Sequence, residues 1–255
     1  MVNKKMRIGF IITARMKSTR LPKKAVLKIN NKEIITILIE RLKKCKKIDE
    51  IIIATSTNSQ DDILCKIAKR EKVKCFRGSE DDVLQRLYNA SKEFSLEYIL
   101  NITADCPLAS YDICEDIIDH YKKTDADLIT TYKLPHGFFI YGIKPEALEK
   151  INEIKDDKKT EVWLRYFTDT GMFKVSDLEI PKELIRKEYR LSIDYIDDYK
   201  FFQKLFEKMG PDTHFKSTKE IINFLDKNPD IVSINSHCEE KYKKRWEKQN
   251  RMKIK

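Results

Sequence analysis

Short apolar runs and amphipathic segments alternate along the first half of the chain. The apolar runs have the length of buried strands, and they cover residues 8–12, 51–54, 73–76, 98–102 and 128–131. Between them, apolar side chains recur at helical spacing over residues 33–45, 61–69, 80–94 and 111–121. Strands that alternate with amphipathic helices predict an α/β fold, with a mixed, mainly parallel sheet and helices on both of its faces.

The pattern changes after about residue 133. An aromatic segment with a predicted strand at its end leads into helices near residues 145–151 and 160–170 and a strand at 173–175. A further predicted strand, at residues 189–193, returns the chain to the main sheet. We therefore interpret residues 133–188 as a small α/β insertion in a single domain of residues 1–238. Residues 239–255 form a basic C-terminal tail, helical or frayed.

Composition narrows the class of partner. The chain has 255 residues, of which 41% are hydrophobic, and this is enough for one large domain. The net charge of +10 would suit nucleic acid, anionic lipid or a small polyanion. Lysines are scattered and interleaved with acids, however, and no RNA-binding or zinc-finger pattern is present. We expect a small polyanion as the partner, and neither nucleic acid nor a membrane.

Cysteine usage and hydropathy predict a cytoplasmic location. The six cysteines include no CxxC pair, and small buried thiols in a reducing compartment are the simplest interpretation. No apolar run approaches the roughly 20 residues that a membrane-spanning helix needs. The residues before Arg7 lack the apolar core of a signal peptide.

A basic loop follows the first predicted strand, and it is the strongest candidate site. The loop contains cationic and hydroxyl side chains: Arg15, Lys17, Ser18, Thr19, Arg20, Lys23 and Lys24. It has no glycine, so it is neither the phosphate loop of the nucleotide-binding NTPases nor a dinucleotide fingerprint. Side chains at the carboxyl end of a sheet would instead bind a polyphosphate. The alternative is a solvated, charged turn.

Three further segments would meet this loop at the same edge of the sheet. In residues 76–86, Ser79 is expected to cap a helix, and the backbone of residues 77–79 could contact a base or ribose. Asp105 directly follows the fourth strand and could bind Mg²⁺, although a turn or cap aspartate is the alternative. Asp194 follows the late strand and would face Asp105 if that strand rejoins the sheet. Asp197 and Asp198 resemble first-turn helix acids.

Five motifs occur in order along the chain: ARMKSTRLPKK, IIIATS, FRGSEDDVLQR, NITADCPL and RLSIDYIDD. Together they resemble the cytidylyltransferases of the spore-coat-polysaccharide SpsF type, relatives of acylneuraminate and 3-deoxy-manno-octulosonate cytidylyltransferases. The resemblance implies a Rossmann-like nucleotidyltransferase fold of the glycosyltransferase-A type. It also implies CTP as the nucleotide donor, Mg²⁺ as the cofactor and a homodimer.

The resemblance also implies roles for individual residues. The triphosphate would face Arg15, Ser18, Arg20 and Lys24. The cytosine and ribose would lie near Arg77, Gly78, Ser79 and Asp82. The metal ligands would be Asp105 and Asp194, and the catalytic residues Arg15, Lys24 and Asp105. The predicted insertion would supply acceptor contacts and a dimer arm, with His136, Tyr141, Glu161 and Trp163 near the acceptor.

The chain departs from the family pattern at three places. Lys23 replaces the glycine of the usual Leu-Pro-Gly-Lys sequence, and residues 31–33 read Asn-Lys-Glu where relatives have Gly-Lys-Pro. Residues 160–163 read Thr-Glu-Val-Trp where relatives often have Glu-His-Val-Thr. The tryptophan at that place suggests a different acceptor.

The expected reaction joins CTP to an acceptor and releases pyrophosphate. The acceptor would be a keto-acid sugar or a small phosphorylated metabolite, and the product a CMP- or CDP-activated compound for cell-surface polysaccharide biosynthesis. Two alternatives remain at this point. One is a glycosyltransferase that uses a nucleotide-sugar, and the other is a non-catalytic protein that binds anions or RNA.

Overall fold

The computed structural model describes residues 5–249 and 252–255; residues 1–4 of the predicted domain and residues 250 and 251 of the predicted tail lie outside it. Its main feature is a seven-stranded sheet in the order β5-β4-β1-β6-β8-β7-β9. The strands are β1 (Ile8–Thr13), β4 (Glu50–Ser56), β5 (Lys74–Gly78), β6 (Tyr98–Thr103), β7 (Leu128–Thr130), β8 (Tyr141–Ile143) and β9 (Val175–Asp177). A separate hairpin pairs β2 (Lys28–Ile29) with β3 (Lys32–Glu33).

Helices flank the sheet, and several of them follow its strands in the chain. They are α1 (Ile34–Leu42), α2 (Asp62–Glu71), α3 (Val83–Glu93), α4 (Cys114–Thr124), α5 (Pro145–Ile154), α6 (Arg165–Thr168), α7 (Ile196–Met209), α8 (Thr218–Asp226), α9 (Pro229–Ser233) and α10 (Ser236–Gln249). A capping box begins α8, since Ser217 and Glu220 bond reciprocally. None of the described helices has both the length and the apolar character that crossing a membrane requires.

The sheet separates two hydrophobic cores. Successive side chains of a strand point to opposite faces, so Phe10 and Ile12 of β1 join one core with α1, while Ile11 joins the other with α3. All three are fully buried. The central strands β5, β4, β1 and β6 run parallel, and β8 runs antiparallel to its two neighbours. The predicted α/β fold, with a mixed, mainly parallel sheet and helices on both faces, is confirmed.

The segment interpreted as an insertion also contributes to the main sheet. Within residues 133–188, β8 lies between β6 and β7, and β9 pairs in parallel with β7. The late strand predicted at residues 189–193 is wrong, because only Arg190 forms a bridge there, with His136. Gly137, at φ 97°, allows this close approach, since a Cβ there would lie 2.1 Å from the carbonyl oxygen of Leu191.

The basic tail is more ordered than its composition suggests. Most of the described part of residues 239–255 belongs to α10, a helix of 14 residues that begins at Ser236. The side chains of Tyr242, Arg245 and Trp246 are half-buried, while those of Lys243, Lys244, Glu247 and Lys248 are exposed. The helix therefore packs one face against the rest of the protein.

Candidate active site

A cavity of about 360 Å³ opens at the carboxyl ends of β1 and β6. The basic loop after β1 forms much of its wall, and cationic side chains predominate there. Those that line the cavity are Arg15, Lys17, Arg20, Lys24, Arg86, Lys159 and Arg245, against the acids Asp81, Asp105 and Glu161. Ser18 and Thr19 add hydroxyl groups. Such a lining suits a small molecule with several negative charges.

Lys24 bridges the two aspartates that the sequence predicts as metal ligands. Its ammonium group donates to Asp105 Oδ2 and, at 2.7 Å, to Asp194 Oδ1. Burial by itself would lower the pKa of Lys24, but the two carboxylates outweigh it and raise that pKa. The side chain of Asp194 is only 2% exposed. Both carboxylates therefore converge on a single cationic group that lines the cavity.

Asp194 is held by two further cations. Arg20 lies 2.7 Å from Oδ1, and Arg190 donates to Oδ2 at 2.7 Å. Burial acts to raise the pKa of Asp194, but the charges of Lys24, Arg20 and Arg190 lower it well below its ordinary range. The carboxyl group is therefore ionised at neutral pH, as a metal ligand must be.

Short backbone contacts, rather than a strand, place Asp194 opposite Asp105. The Ile193 N–H donates to the Asp105 carbonyl at 2.8 Å. The buried carboxylate of Asp198 accepts hydrogen bonds from the N–H groups of Asp194 and Tyr195, both at 2.9 Å. Asp198, in the first turn of α7, thus bonds back to the backbone at the start of that helix and fixes the segment that precedes it. The convergence of Asp105 and Asp194 is present although the predicted strand is not.

The backbone of the basic loop retains the conformation that glycine would favour. Lys23, which stands where the resemblance predicts glycine, is left-handed at φ 56° and ψ 26°. Its side chain is exposed, whereas that of Lys24 turns into the cavity. Asn30 and Asn31, at φ 48° and 64°, make the tight turn between β2 and β3. Lys23 and Asn31 therefore both adopt the left-handed conformation that glycine takes most readily.

Arg15 connects the basic loop to the opposite wall. Its guanidinium lies 3.2 Å from Asp81 Oδ1 and 2.7 Å from Glu161 Oε2. Glu161 and Trp163, both predicted acceptor contacts, line this cavity as well as a second one. Arg15, Ser18, Arg20, Lys24 and Asp105 share the same cavity lining, so the structure brings these predicted residues together.

A second cavity of about 160 Å³ adjoins the first and is rich in aromatic side chains. Its aromatic lining consists of Tyr132, Phe139, Tyr141, Trp163, Tyr242 and Trp246, together with the imidazole of His136. Asp105 and Asp194 lie at its boundary, and Asp105 lines both cavities. Two of the predicted acceptor residues, His136 and Tyr141, lie only in this second cavity.

Four residues predicted near the base and ribose do not line either cavity. Arg77 is paired with Asp62 at 2.6 Å and donates to the carbonyls of Ser56 and Asn58. Asp82 is buried against Lys155 and caps α3 by accepting from the Gln85 N–H. Their nucleotide role, with that of Gly78 and Ser79, stays a prediction.

The cap of α3 differs from the one expected. Ser79 was predicted to cap this helix, but its hydroxyl accepts from the Asp82 N–H, at 3.1 Å. Asp82 takes the capping position itself, because the segment of residues 79–82 forms a turn before α3 begins at Val83.

Several cavity residues are not predicted from the sequence, five polar or aromatic ones among them. Arg86 and Lys159 line the first cavity, Tyr242 and Trp246 the second, and Arg245 both. The one available signal was the spacing of Tyr242 and Trp246, since side chains four positions apart share a helix face. Arg86 is buried and donates to the carbonyls of Ser79 and Glu80, so it also holds the turn before α3.

Arg190 joins α10 to the carboxylates of the site. Its guanidinium is fully buried and contacts Asp194, Asp198 (2.9 Å) and Glu239 (2.8 Å). His136 lies 2.8 Å from the same oxygen of Glu239. Burial would raise the pKa of Glu239, but the bonds to His136 and Arg190 lower it to about 2 from an ordinary value of 4.5.

The lowered pKa of Glu239 predicts that the attachment of α10 to the rest of the protein weakens in acid. Because the folded-state pKa is lowered, ionised Glu239 stabilises the folded protein fully above pH 4.5, and this contribution is lost as pH falls towards 2. Glu239→Gln should therefore lower stability near neutral pH and flatten the decline in acid. Thermal unfolding across this pH range measures both effects. Glu240→Gln is the matched control, since Glu240 is exposed and pairs only with Lys244 in the described structure; equal pH profiles for the two variants would contradict the assignment.

Comparison with known proteins identifies the family of this chain. The family model described as Cytidylyltransferase matches residues 9–224. The uncharacterized protein MJ1063 of Methanocaldococcus jannaschii is 39% identical over 92% of this chain and 97% of its own length. The spore coat polysaccharide biosynthesis protein SpsF of Bacillus subtilis is 30% identical over 89% of this chain and 97% of its own.

A solved structure shows the same likeness in three dimensions. A cytidylyltransferase from Leptospira borgpetersenii superposes with a TM-score of 0.81 at 30% identity, covering 89% of this chain and 97% of that one. The family match extends over most of the chain, including the basic loop and both site aspartates. The chain therefore belongs to the cytidylyltransferase family and is a nucleotidyltransferase enzyme.

Proposed function

We propose that this enzyme is a magnesium-dependent cytidylyltransferase in which an acceptor oxygen attacks the α-phosphorus of CTP and pyrophosphate leaves. The observation that carries the proposal is the position of Asp105. This carboxylate lines both the basic cavity, which suits a triphosphate, and the aromatic cavity beside it. A group at the junction of two cavities can act on the bond formed between their occupants.

The residues at the junction fit a magnesium ion. Carboxylate oxygens are preferred ligands of Mg²⁺, and two of them converge here on the Lys24 ammonium, which already marks a cationic position. Asp105 and Asp194 would hold the ion. The chemistry that bound magnesium supplies is neutralisation of charge on the α-phosphoryl group and orientation of the reacting oxygens.

The side chains of the basic cavity would stabilise the remaining charge. Negative charge grows on the departing pyrophosphate, and Arg15 and Lys24 place cations in a partly buried position facing it. Ser18 adds a hydroxyl donor. Arg20 lines the basic cavity and also pairs with Asp194. The carboxylates that pair with Arg15 and Lys24 keep these cations oriented before the substrate arrives.

The aromatic cavity would hold the acceptor. Its ring-bearing walls offer apolar faces, while Arg20 and Arg245 offer positive charge near the junction. These features support a keto-acid sugar or a small phosphorylated metabolite. The name of the Bacillus subtilis relative supports a role in polysaccharide biosynthesis, and the homodimer expected from the resemblance stays a prediction.

A nucleotide screen tests the proposal. Pyrophosphate release with Mg²⁺ is measured for CTP, UTP, ATP and GTP, each with a pool of acidic sugars and phosphorylated small molecules. The proposal predicts release that depends on CTP, on one acceptor and on Mg²⁺. Release that another nucleotide supports equally well, or that needs no acceptor, would contradict the proposal. Selective thermal stabilisation by CTP would show nucleotide binding independently of the acceptor.

A further inference from the structure

The C-terminal helix α10 packs over the acceptor side of the site. Its inward face consists of Cys238, which is fully buried, and of Tyr242, Arg245 and Trp246. These positions are four, seven and eight residues after the first, which is the spacing of one helix face. Tyr242 and Trp246 line the aromatic cavity, and Arg245 lines both cavities.

The first turn of α10 is attached to the core at several points. Glu239 bonds to Arg190 and His136, both at 2.8 Å. His237 lies 3.2 Å from Asp197 of α7. Asn235, buried just before the helix, donates to the Arg190 carbonyl and to Asp198, both at 3.0 Å. These contacts fix where the side chains one and two turns later meet the cavity.

The same attachment reaches Asp194, one of the two site aspartates. Arg190 contacts Glu239 through one guanidinium nitrogen and Asp194 through another. The ring of Tyr242 lies 5.0 Å from the Arg190 guanidinium and 4.5 Å from the His136 ring. The aromatic wall then continues from His136 to Phe139 (5.5 Å), Tyr141 (5.6 Å) and Trp163 (5.0 Å) between ring centroids. One wall of the acceptor cavity thus belongs to α10 and the other to residues 132–164.

We propose that α10 completes the acceptor site, with Tyr242 and Trp246 as specificity-determining contacts and Glu239 as the positioning residue that holds the helix through Arg190. This proposal rests on the proposed function. The acceptor would be a compact molecule that presents the apolar face of a ring to the aromatic wall, beside the reacting oxygen at Asp105. Aromatic side chains recognise such faces over a large contact area.

The kinetic constants of a Trp246 variant test whether this side chain contacts the acceptor. The acceptor that gives the fastest pyrophosphate release with the wild-type enzyme serves as the probe. Trp246→Ala should raise the acceptor KM at least about tenfold while leaving the CTP KM within about twofold, because Trp246 lines only the aromatic cavity. Trp246→Phe, which keeps an aromatic face, should restore most of the affinity. Lys244→Ala, an exposed position on the same helix, is the matched control.

If Trp246→Ala kept the wild-type KM for the acceptor, Trp246 would not contact the acceptor. The cytidylyltransferase proposal would still stand. An equal rise in the KM for CTP and for acceptor would also overturn the Trp246 contact, since that result indicates general damage to the site.

Hydrogen exchange tests the attachment without any substrate. Glu239→Gln should accelerate amide exchange over the described part of α10, and Glu240→Gln should leave it unchanged. Unchanged exchange in Glu239→Gln would overturn the positioning role. This measurement remains decisive if the wild-type enzyme is inactive with every acceptor, a result that would contradict the proposed function alone.

Discussion

Asp105→Asn is expected to lower turnover by about 10²–10³-fold, because the variant removes a charge at the junction of the two cavities. The asparagine keeps the size of the side chain and can still contact Thr103, which donates to Asp105 Oδ1 in the wild-type protein. The fold should therefore be retained. The variant should also need a higher Mg²⁺ concentration for half-maximal rate, which a metal titration of pyrophosphate release measures.

Asp230→Asn is the matched control for this change, because Asp230 is exposed in the short helix α9. Its rate and metal requirement should equal those of the wild type. Wild-type turnover in Asp105→Asn, with an unaltered magnesium requirement, would show that the carboxylate has neither a catalytic nor a metal-binding role.

Lys24→Ala is expected to reduce turnover by a similar factor of about 10²–10³. The change removes the only side-chain cation within salt-bridge distance of Asp105 among the described residues, whereas Asp194 keeps Arg20 and Arg190. Asp105 would then retain its contact with Thr103 but lose its charge partner. Since Lys24 also faces the proposed triphosphate position, the CTP KM should rise. Steady-state kinetics with varied CTP separates the two effects.

Lys23→Gly provides a close control for Lys24→Ala. It also removes a lysine from the basic loop, but Lys23 is exposed and its left-handed backbone suits glycine. This variant should fold and retain near wild-type kinetics. If Lys24→Ala matched Lys23→Gly in rate and CTP KM, Lys24 would be no more than a surface charge of the loop.

The architecture was largely accessible from the sequence because each central strand is a compact apolar run followed by an amphipathic helix. Residues in β1 such as Phe10 and Ile11 pack into opposite cores, so their run carries no alternation of its own and is typical of a strand buried on both faces. The placement of β8 between β6 and β7 was not predictable in the same way. It depends on a long-range pairing of three residues that leaves no local pattern.

Site residues were predictable from the sequence where they lie just after the end of a strand. Asp105 lies two residues after the end of β6, so the sequence could place it at the carboxyl edge of the sheet. Asp194 reaches it by another route than the one expected, through Arg190, Asp198 and a single backbone bond to Asp105. Such a buried network of charges connects distant parts of the chain, and its members resemble ordinary helix caps in sequence.

The amino-acid composition of α10 does not indicate that this helix lines the candidate site. Lysine and glutamate dominate residues 239–248, a pattern typical of a solvated helix or tail. Only the spacing of Tyr242 and Trp246 marks an inward face. Lys23 departs from the family pattern in sequence, yet its backbone adopts the left-handed conformation that glycine favours.

The most direct test of the central claim follows the α-phosphorus of CTP. CTP labelled at that atom is incubated with the enzyme, Mg²⁺ and the acceptor found in the screen, and the products are separated. Attack at the α-phosphorus predicts that the label moves entirely to the acceptor in a cytidylyl product, with one unlabelled pyrophosphate released for each product formed. Label that remains in CTP while the acceptor is consumed, or that appears in free CMP without an acceptor product, would contradict cytidylyl transfer by this enzyme.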